Sequence, residues 1–276
     1  MPDNGYGVYV WTGTSNAVLD LAKDLGVKWV AIGNGAVWHW RNDTGYMSGV
    51  VSLAQRIRQR GMEPYVDISL HATGQPAFTP ADYASIAAFA AERVATLNLS
   101  QTVLQAEPHT WSSYVGTPEN YAGLYTTAYP IIKAAKADCT VLGSYGWGRM
   151  DQIYNDGSTT YYLDRLVTAG LFNSVDGLSV HPYCMNETPE TYLASQWTSL
   201  QAYLATKGKS GMPIYFDEWG FTLSSTPAGG GPRSEEEQAD LVVRTANTLH
   251  DLDDTAIIYF YLPYTSKRTK KKRRIH

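Results

Sequence analysis

A chain of 276 residues with 44% hydrophobic side chains is long enough for one α/β barrel or two smaller domains. No apolar run in it approaches the roughly 20 residues that a membrane-spanning helix needs. The formal charge of −4 conceals a division: residues 267–276 hold seven basic side chains and no acid, which leaves 15 basic against 26 acidic side chains in residues 1–266. An acidic body excludes a nucleic-acid-binding domain, whose footprint is a basic face, and the tail reads as a solvated, disordered run.

The opening Met1-Pro-Asp-Asn-Gly-Tyr6 has neither a basic n-region nor an apolar h-region, so no signal peptide is expected. Extracellular action would require a leader that has been removed. Strand-like segments, short and rich in Val, Ile, Tyr and Phe, then alternate with helical patterns. The first strand, 7–11, precedes a capped amphipathic helix over 16–26 that ends in glycine. The second, 28–33, precedes 48–60, with Gly61 as its stop. After the third, 63–69, comes an Ala-rich helix over 79–97 that opens with Pro80. The fourth, 101–106, leads to a helix from 117 to about 136 with proline at its first helical position. The fifth, 140–145, is followed by 161–169, and the sixth, 177–182, by 189–206. The seventh, 213–218, is followed by 234–250, whose Ser-Glu-Glu-Glu start is a capping box with acids at the positive end of the dipole. The eighth strand is 256–262.

Eight strands alternating with seven helices predict a single (β/α)8 barrel over residues 1–266. A doubly wound open sheet is the runner-up. It is disfavoured because Gly33-Asn34-Gly35 lacks the third glycine of a phosphate-binding loop. From Ser266 onward almost nothing is apolar, so no regular eighth helix is expected. A groove would then lie between the first and seventh helices, open or covered by a partner, and the protein is expected to be a monomer or a dimer through that face. Cys139 precedes the fifth strand and Cys184 follows the sixth, at opposite barrel ends, so two thiols are expected rather than a disulfide.

In such barrels chemistry sits at the C-terminal strand ends. Those ends and the loops after them collect Trp11; Asn34, Trp38, His39, Trp40, Arg41 and Asn42; His71; Glu107, His109 and Trp111; Tyr145, Trp147 and Arg149; His181 and Tyr183; Glu218 and Trp219; and Tyr259 and Tyr261. Five of the eight tryptophans, Trp11, Trp38, Trp40, Trp111 and Trp147, lie in this rim. Sugar faces stack on such rings, and sugar hydroxyls pair with Asn, His, Arg and Tyr. Two apolar segments end in a carboxylate followed by a chain-turning residue, Thr102-Val-Leu-Gln-Ala-Glu107-Pro108 and Pro213-Ile-Tyr-Phe-Asp-Glu218-Trp-Gly220. Facing carboxylates are the apparatus for cleaving a glycosidic bond. Strand alternation lets only one of Asp217 and Glu218 face inward. Glu218 is expected to do so with Phe216 and Ile214, and Asp217 to point away as a supporting or capping acid.

Ala106-Glu107-Pro108, Asp217-Glu218-Trp219-Gly220 and Asp176-Gly-Leu-Ser-Val-His181-Pro182-Tyr183 resemble the retaining glycoside hydrolases of clan A, the barrel enzymes that include families 5 and 39. The resemblance spans the chain in element order and about 20 residues in motif detail. It implies that Glu218 is the nucleophile and Glu107 the acid/base, with carboxyl groups about 5–5.5 Å apart. Glu107 would need a raised pKa, supplied by the neighbouring Glu218 charge. His181 or Tyr183 would orient Glu218. Two departures stand out. The family's asparagine before the acid/base, which holds the sugar 2-hydroxyl, is Ala106 here, with Asn34 and His109 as candidate substitutes. The tryptophan common on the family's last strand is absent, which leaves Tyr259 or Tyr261 as the sugar platform.

No metal or organic cofactor is expected, since the six histidines are scattered without ligand spacing. The function implied is an endo-acting retaining hydrolase of a β-linked polysaccharide or oligosaccharide. The alternative is a barrel that grips glycan without cutting it. A metal-dependent lyase or isomerase would need converging His, Asp and Lys, and no lysine lies at the interior strand ends. The chitinase signature Asp-x-x-Asp-x-Asp-x-Glu is absent.

Overall fold

The computed structural model describes residues 5–33, 47–68, 70, 76–108, 115–147, 162–184, 188–221, 234–252 and 258–260. Eight strands run in chain order: β1 (Tyr6–Trp11), β2 (Trp29–Gly33), β3 (Glu63–Asp67), β4 (Gln101–Val103), β5 (Thr140–Trp147), β6 (Gly177–His181), β7 (Ile214–Tyr215) and β8 (Ile258–Phe260). Between them lie α1 (Asn16–Asp24), α2 (Met47–Arg58), α3 (Tyr83–Leu97), α4 (Pro118–Ala135), α5 (Tyr162–Thr168), α6 (Pro189–Thr206) and α7 (Glu235–Leu252). All pairings are parallel and the sheet order is β7-β6-β5-β4-β3-β2-β1-β8. That is chain order with β8 brought round beside β1, the strand order of a (β/α)8 barrel.

Alternation along the strands sorts the core into two layers. Tyr9, Trp29, Ala31, Tyr65, Val103, Leu142 and Tyr215 pack together inside the barrel. The residues between them, such as Val8, Val30, Ile32, Val66, Val141, Leu178, Ile214 and Phe216, pack outward beneath the helices. Gly33 serves the inner layer: a Cβ there would lie 1.8 Å from the Tyr9 ring. Both cysteines are buried free thiols, as expected from their separation.

The helices follow the sequence pattern closely because their stops are written in side chains. Thr117 caps α4 by accepting from Asn120 N at 3.2 Å, with Pro118 in the first turn. The helix expected over 79–97 is divided: Pro80–Asp82 forms a 3-10 turn closed by the Thr79–Asp82 capping box, and α3 follows.

Two strands are shorter than expected. β4 ends at Val103 and β7 at Tyr215, so Glu107 and Glu218 stand beyond the ladders. The helix α4 takes over the backbone that β4 releases. Tyr121 Oη donates to Gln105 O (2.8 Å) and accepts from Ser144 N (3.3 Å). Tyr125 Oη donates to Leu142 O (2.7 Å) and accepts from Leu104 N (3.1 Å). Their i, i+4 spacing puts both hydroxyls, 3.0 Å apart, on one helix face.

Between α1 and α7 lies an apolar groove of about 250 Å³, lined by residues including Tyr6, Leu25, Val27, Trp219, Val242 and Ala246. Leu21 and Leu25 on one side and Val243 on the other are more than half exposed. This is where the sequence placed a groove, between the first and seventh helices. Residues 261–276, including the basic tail, lie outside the described residues.

Candidate active site

Glu107 leaves the strand geometry abruptly. Its φ is +47°, the left-handed region that a residue with a side chain seldom enters. Its N–H donates to Ser144 Oγ at 3.2 Å, and the preceding Ala106 N–H reaches Asp67 Oδ2 at 3.4 Å. Gln105 is also engaged locally, accepting from Leu70 N at 2.7 Å and donating to Ala106 O at 2.9 Å. On the other side of Ser144, β5 takes a three-residue step, Ser144 to Trp147, against a two-residue step on β6, Ser179 to His181. Such bulges re-aim side chains beside sites.

Three side chains meet above this floor. One ligating-type atom each of Glu107, His181 and Glu218 lies within 4.8 Å of the other two. His181 Nδ1 is 3.0 Å from Glu107 Oε1, and Tyr183 Oη donates to Glu218 Oε1 at 2.8 Å. The expectation that His181 or Tyr183 orients Glu218 therefore divides: Tyr183 bonds Glu218, and His181 bonds Glu107. Each glutamate thus has a neighbour able to donate to it, an arrangement suited to acid–base chemistry. Glu107 and Glu218 are partly buried, while His181 is only 1% exposed.

Asp217 lies beneath them, and here the structure corrects the sequence reading. Ile214 and Phe216 pack outward, Phe216 against Trp197 of α6. Tyr215 belongs to the inner layer, and Asp217, two residues on, shares its direction and enters the barrel. Asp217 accepts from Ser179 Oγ at 2.8 Å and from Tyr65 Oη, and its Oδ1 is 3.6 Å from His181 Nε2. Glu218 reaches the same space because β7 ends at Tyr215, so alternation no longer governs it. Burial raises the Asp217 pKa, against the opposing pull of His181, Tyr65 and Ser179. For His181, burial pushes the pKa down. The Glu218 charge, the Glu107 hydrogen bond and the Asp217 charge outweigh it and carry the value up to about 10.

Two other expected sugar-binding residues are placed elsewhere. Tyr145 lines the interior between β6 and α6 with Val180, Tyr192 and Leu200, because Ser144 takes the inward direction beside it. Trp219 is 1% exposed in the layer beneath the helices, on the side of the α1–α7 groove. Trp11 ends β1, partly exposed, with its ring edge-on to Tyr9 at 5.6 Å. Trp147 and Tyr259 are placed by backbone only, at the end of β5 and the middle of β8. Asn34, Trp38, Trp40, His109, Trp111 and Tyr261 lie outside the described residues. The sequence reading missed Tyr65, Ser144 and Ser179. A signal was present for the serines: each is a small hydroxyl in the middle of a largely apolar strand.

No protein-family model and no curated protein sequence matches this chain. Solved structures do match. A glucosidase from Croceicoccus marinus superposes with a TM-score of 0.66 at 14% identity, covering 92% of this chain and 58% of that one. Cel5A of Thermotoga maritima, solved with cellobiose, gives 0.66 at 13% identity, covering 96% and 91%. A GH30 endoxylanase from Clostridium papyrosolvens gives 0.57 at 14%, covering 95% and 66%. The chain thus spans less than two thirds of the glucosidase and of the endoxylanase. At these identities the likeness establishes the fold, a (β/α)8 barrel of the kind found in glycosidases.

Proposed function

We propose that this chain is a retaining glycoside hydrolase acting on a β-linked polysaccharide or oligosaccharide. The observation that carries the reading is the approach of Glu107 and Glu218 oxygens to within 4.8 Å of one another at the C-terminal end of a barrel shared with a glucosidase, an endoxylanase and a cellobiose-binding protein. Oxygens this close support the shorter carboxyl separation of about 5–5.5 Å that goes with retention, the wider one of inversion being about 6.5–9.5 Å.

In this reading Glu218, held by Tyr183, attacks the anomeric carbon as the glycosidic C–O bond breaks. Glu107 gives its proton to the departing oxygen. In the second half Glu107 takes a proton from water, whose oxygen attacks the same carbon and releases Glu218. The tryptophan-rich rim favours several subsites and endo action. No step calls for a metal or an organic cofactor.

Glu218→Gln is expected to abolish hydrolysis of every substrate in a polysaccharide panel with an unchanged circular dichroism spectrum. A 2-deoxy-2-fluoro glycoside should label Glu218, seen by peptide mass spectrometry. Equal turnover by variant and parent would sink the assignment. One observation favours a second reading, a barrel that binds glycan without cutting it. Ala106 packs with Tyr65 and Val103 in the inner layer, so the place of a 2-hydroxyl donor holds only a methyl group. Saturable binding with no released sugar across the panel would select that reading.

A further inference from the structure

We infer that Asp217 is a positioning residue that fixes the His181 ring and keeps it a cation against Glu107. The inference rests on the reading of Glu107 and Glu218 as the catalytic pair.

The geometry is a buried chain of contacts across three strands. Tyr65 of β3 and Ser179 of β6 donate to the two oxygens of Asp217, which fixes the carboxylate in the barrel interior. Asp217 Oδ1 then faces His181 Nε2 at 3.6 Å, while Nδ1 of the same ring faces Glu107 Oε1 at 3.0 Å. An imidazole with a carboxylate at each nitrogen is best satisfied when both nitrogens carry protons. Asp217 and His181 are 3% and 1% exposed, so solvent screens neither contact. Among the described residues, the other charged group that acts on this ring is Glu218 beyond β7, which Tyr183 of the ring's own segment bonds.

The consequence for Glu107 follows from order in space. The cation touches Glu107, and the Asp217 anion stands behind the ring. At Glu107 the pair therefore acts as net positive charge, which favours its ionised form. Without Asp217 the ring loses its proton more readily, that positive field fades, and Glu107 holds its proton to higher pH. This offsets the repulsion between the two glutamates, so Glu107 can release its proton in each catalytic cycle.

The test has two readouts. In the wild-type protein labelled with 15N-histidine, His181 is expected to remain doubly protonated from pH 5 to about 8, whereas an ordinary histidine titrates near 6.5. In Asp217→Asn its midpoint should fall by about one pH unit or more. On an unactivated oligosaccharide, the alkaline limb of the bell-shaped kcat/KM profile for Asp217→Asn should move to higher pH by about one unit. His181→Gln should move the alkaline limb the same way. A His181 that titrates near 6.5 in the wild type overturns the inference, and that result needs no variant to fold. A lowered profile with the alkaline limb unmoved also overturns it, since a purely structural Asp217 would change only height. Failure of the catalytic reading looks different: wild-type protein then neither cleaves the panel nor takes a fluoroglycoside label, whatever the charge of His181.

Discussion

Tyr183 and Glu107 show how single residues carry this site. The 2.8 Å bond from Tyr183 Oη reaches Oε1 of Glu218, the proposed nucleophile, and hydrogen bonds to charged groups contribute about 1.5–3 kcal/mol. Tyr183→Phe should therefore lower kcat by about 10–100-fold with little change in folding, as steady-state kinetics would register. Glu107 was legible as a strand-end acid, but not its left-handed backbone at φ +47°. That conformation depends on Ser144, which comes from the neighbouring strand. Asp217 was misplaced for a related reason. Alternation was counted with Ile214 and Phe216 facing the lumen, whereas packing beneath the helices turns them outward and sends Tyr215 and Asp217 inward.

At the scale of elements, α4 holds the end of β4 in place. Tyr121 and Tyr125 each satisfy one carbonyl and one N–H that the short strand leaves without a ladder partner. Orphaned buried backbone groups cost about 1–3 kcal/mol each. Tyr121→Phe should thus lower stability by that order, read as a reduced urea midpoint. It should also loosen the segment that carries Glu107, so activity falls further than at distant core sites. The bonding pattern was not visible in the sequence, where two tyrosines one helical turn apart read equally well as apolar packing. The helices themselves were legible because their limits are local: α6 was predicted to the residue, and Gly61 and Pro118 mark stops and starts that need no tertiary partner.

Across the whole molecule, ion pairs tie neighbouring helices around the ring. Arg165 of α5 grips both oxygens of Glu119 on α4, and Arg244 of α7 grips both of Glu190 on α6. The arginine bonds hold both carboxyls down at about 2, below their ordinary 4.5. Because these values are depressed in the folded state, the contribution is present above pH 4.5 and is lost as pH falls toward 2. Glu119→Gln should flatten the acid-side fall of the thermal midpoint in that window and leave the midpoint's slope near neutrality unchanged. A second expectation concerns the thiols. Both are buried, and burial raises the Cys139 pKa to about 12, so Ellman's reagent should find no reactive thiol in the native protein and two after denaturation.

The alternation of apolar strands with capped helices determined the barrel, because each element's period and limits are local properties of its own residues. The same local punctuation marked Glu107 and Glu218, two acids whose side chains the structure brings together. What the sequence left open was settled by contacts between strands far apart in the chain. Closing the barrel decided that Tyr145 and Trp219 pack away from the site and that Asp217 turns inward onto Tyr65 and Ser179. It also decided that His181 faces Glu107 rather than Glu218. Side-chain direction beyond a strand's last ladder bond is fixed by the neighbours that receive the backbone, and those neighbours are not adjacent in sequence.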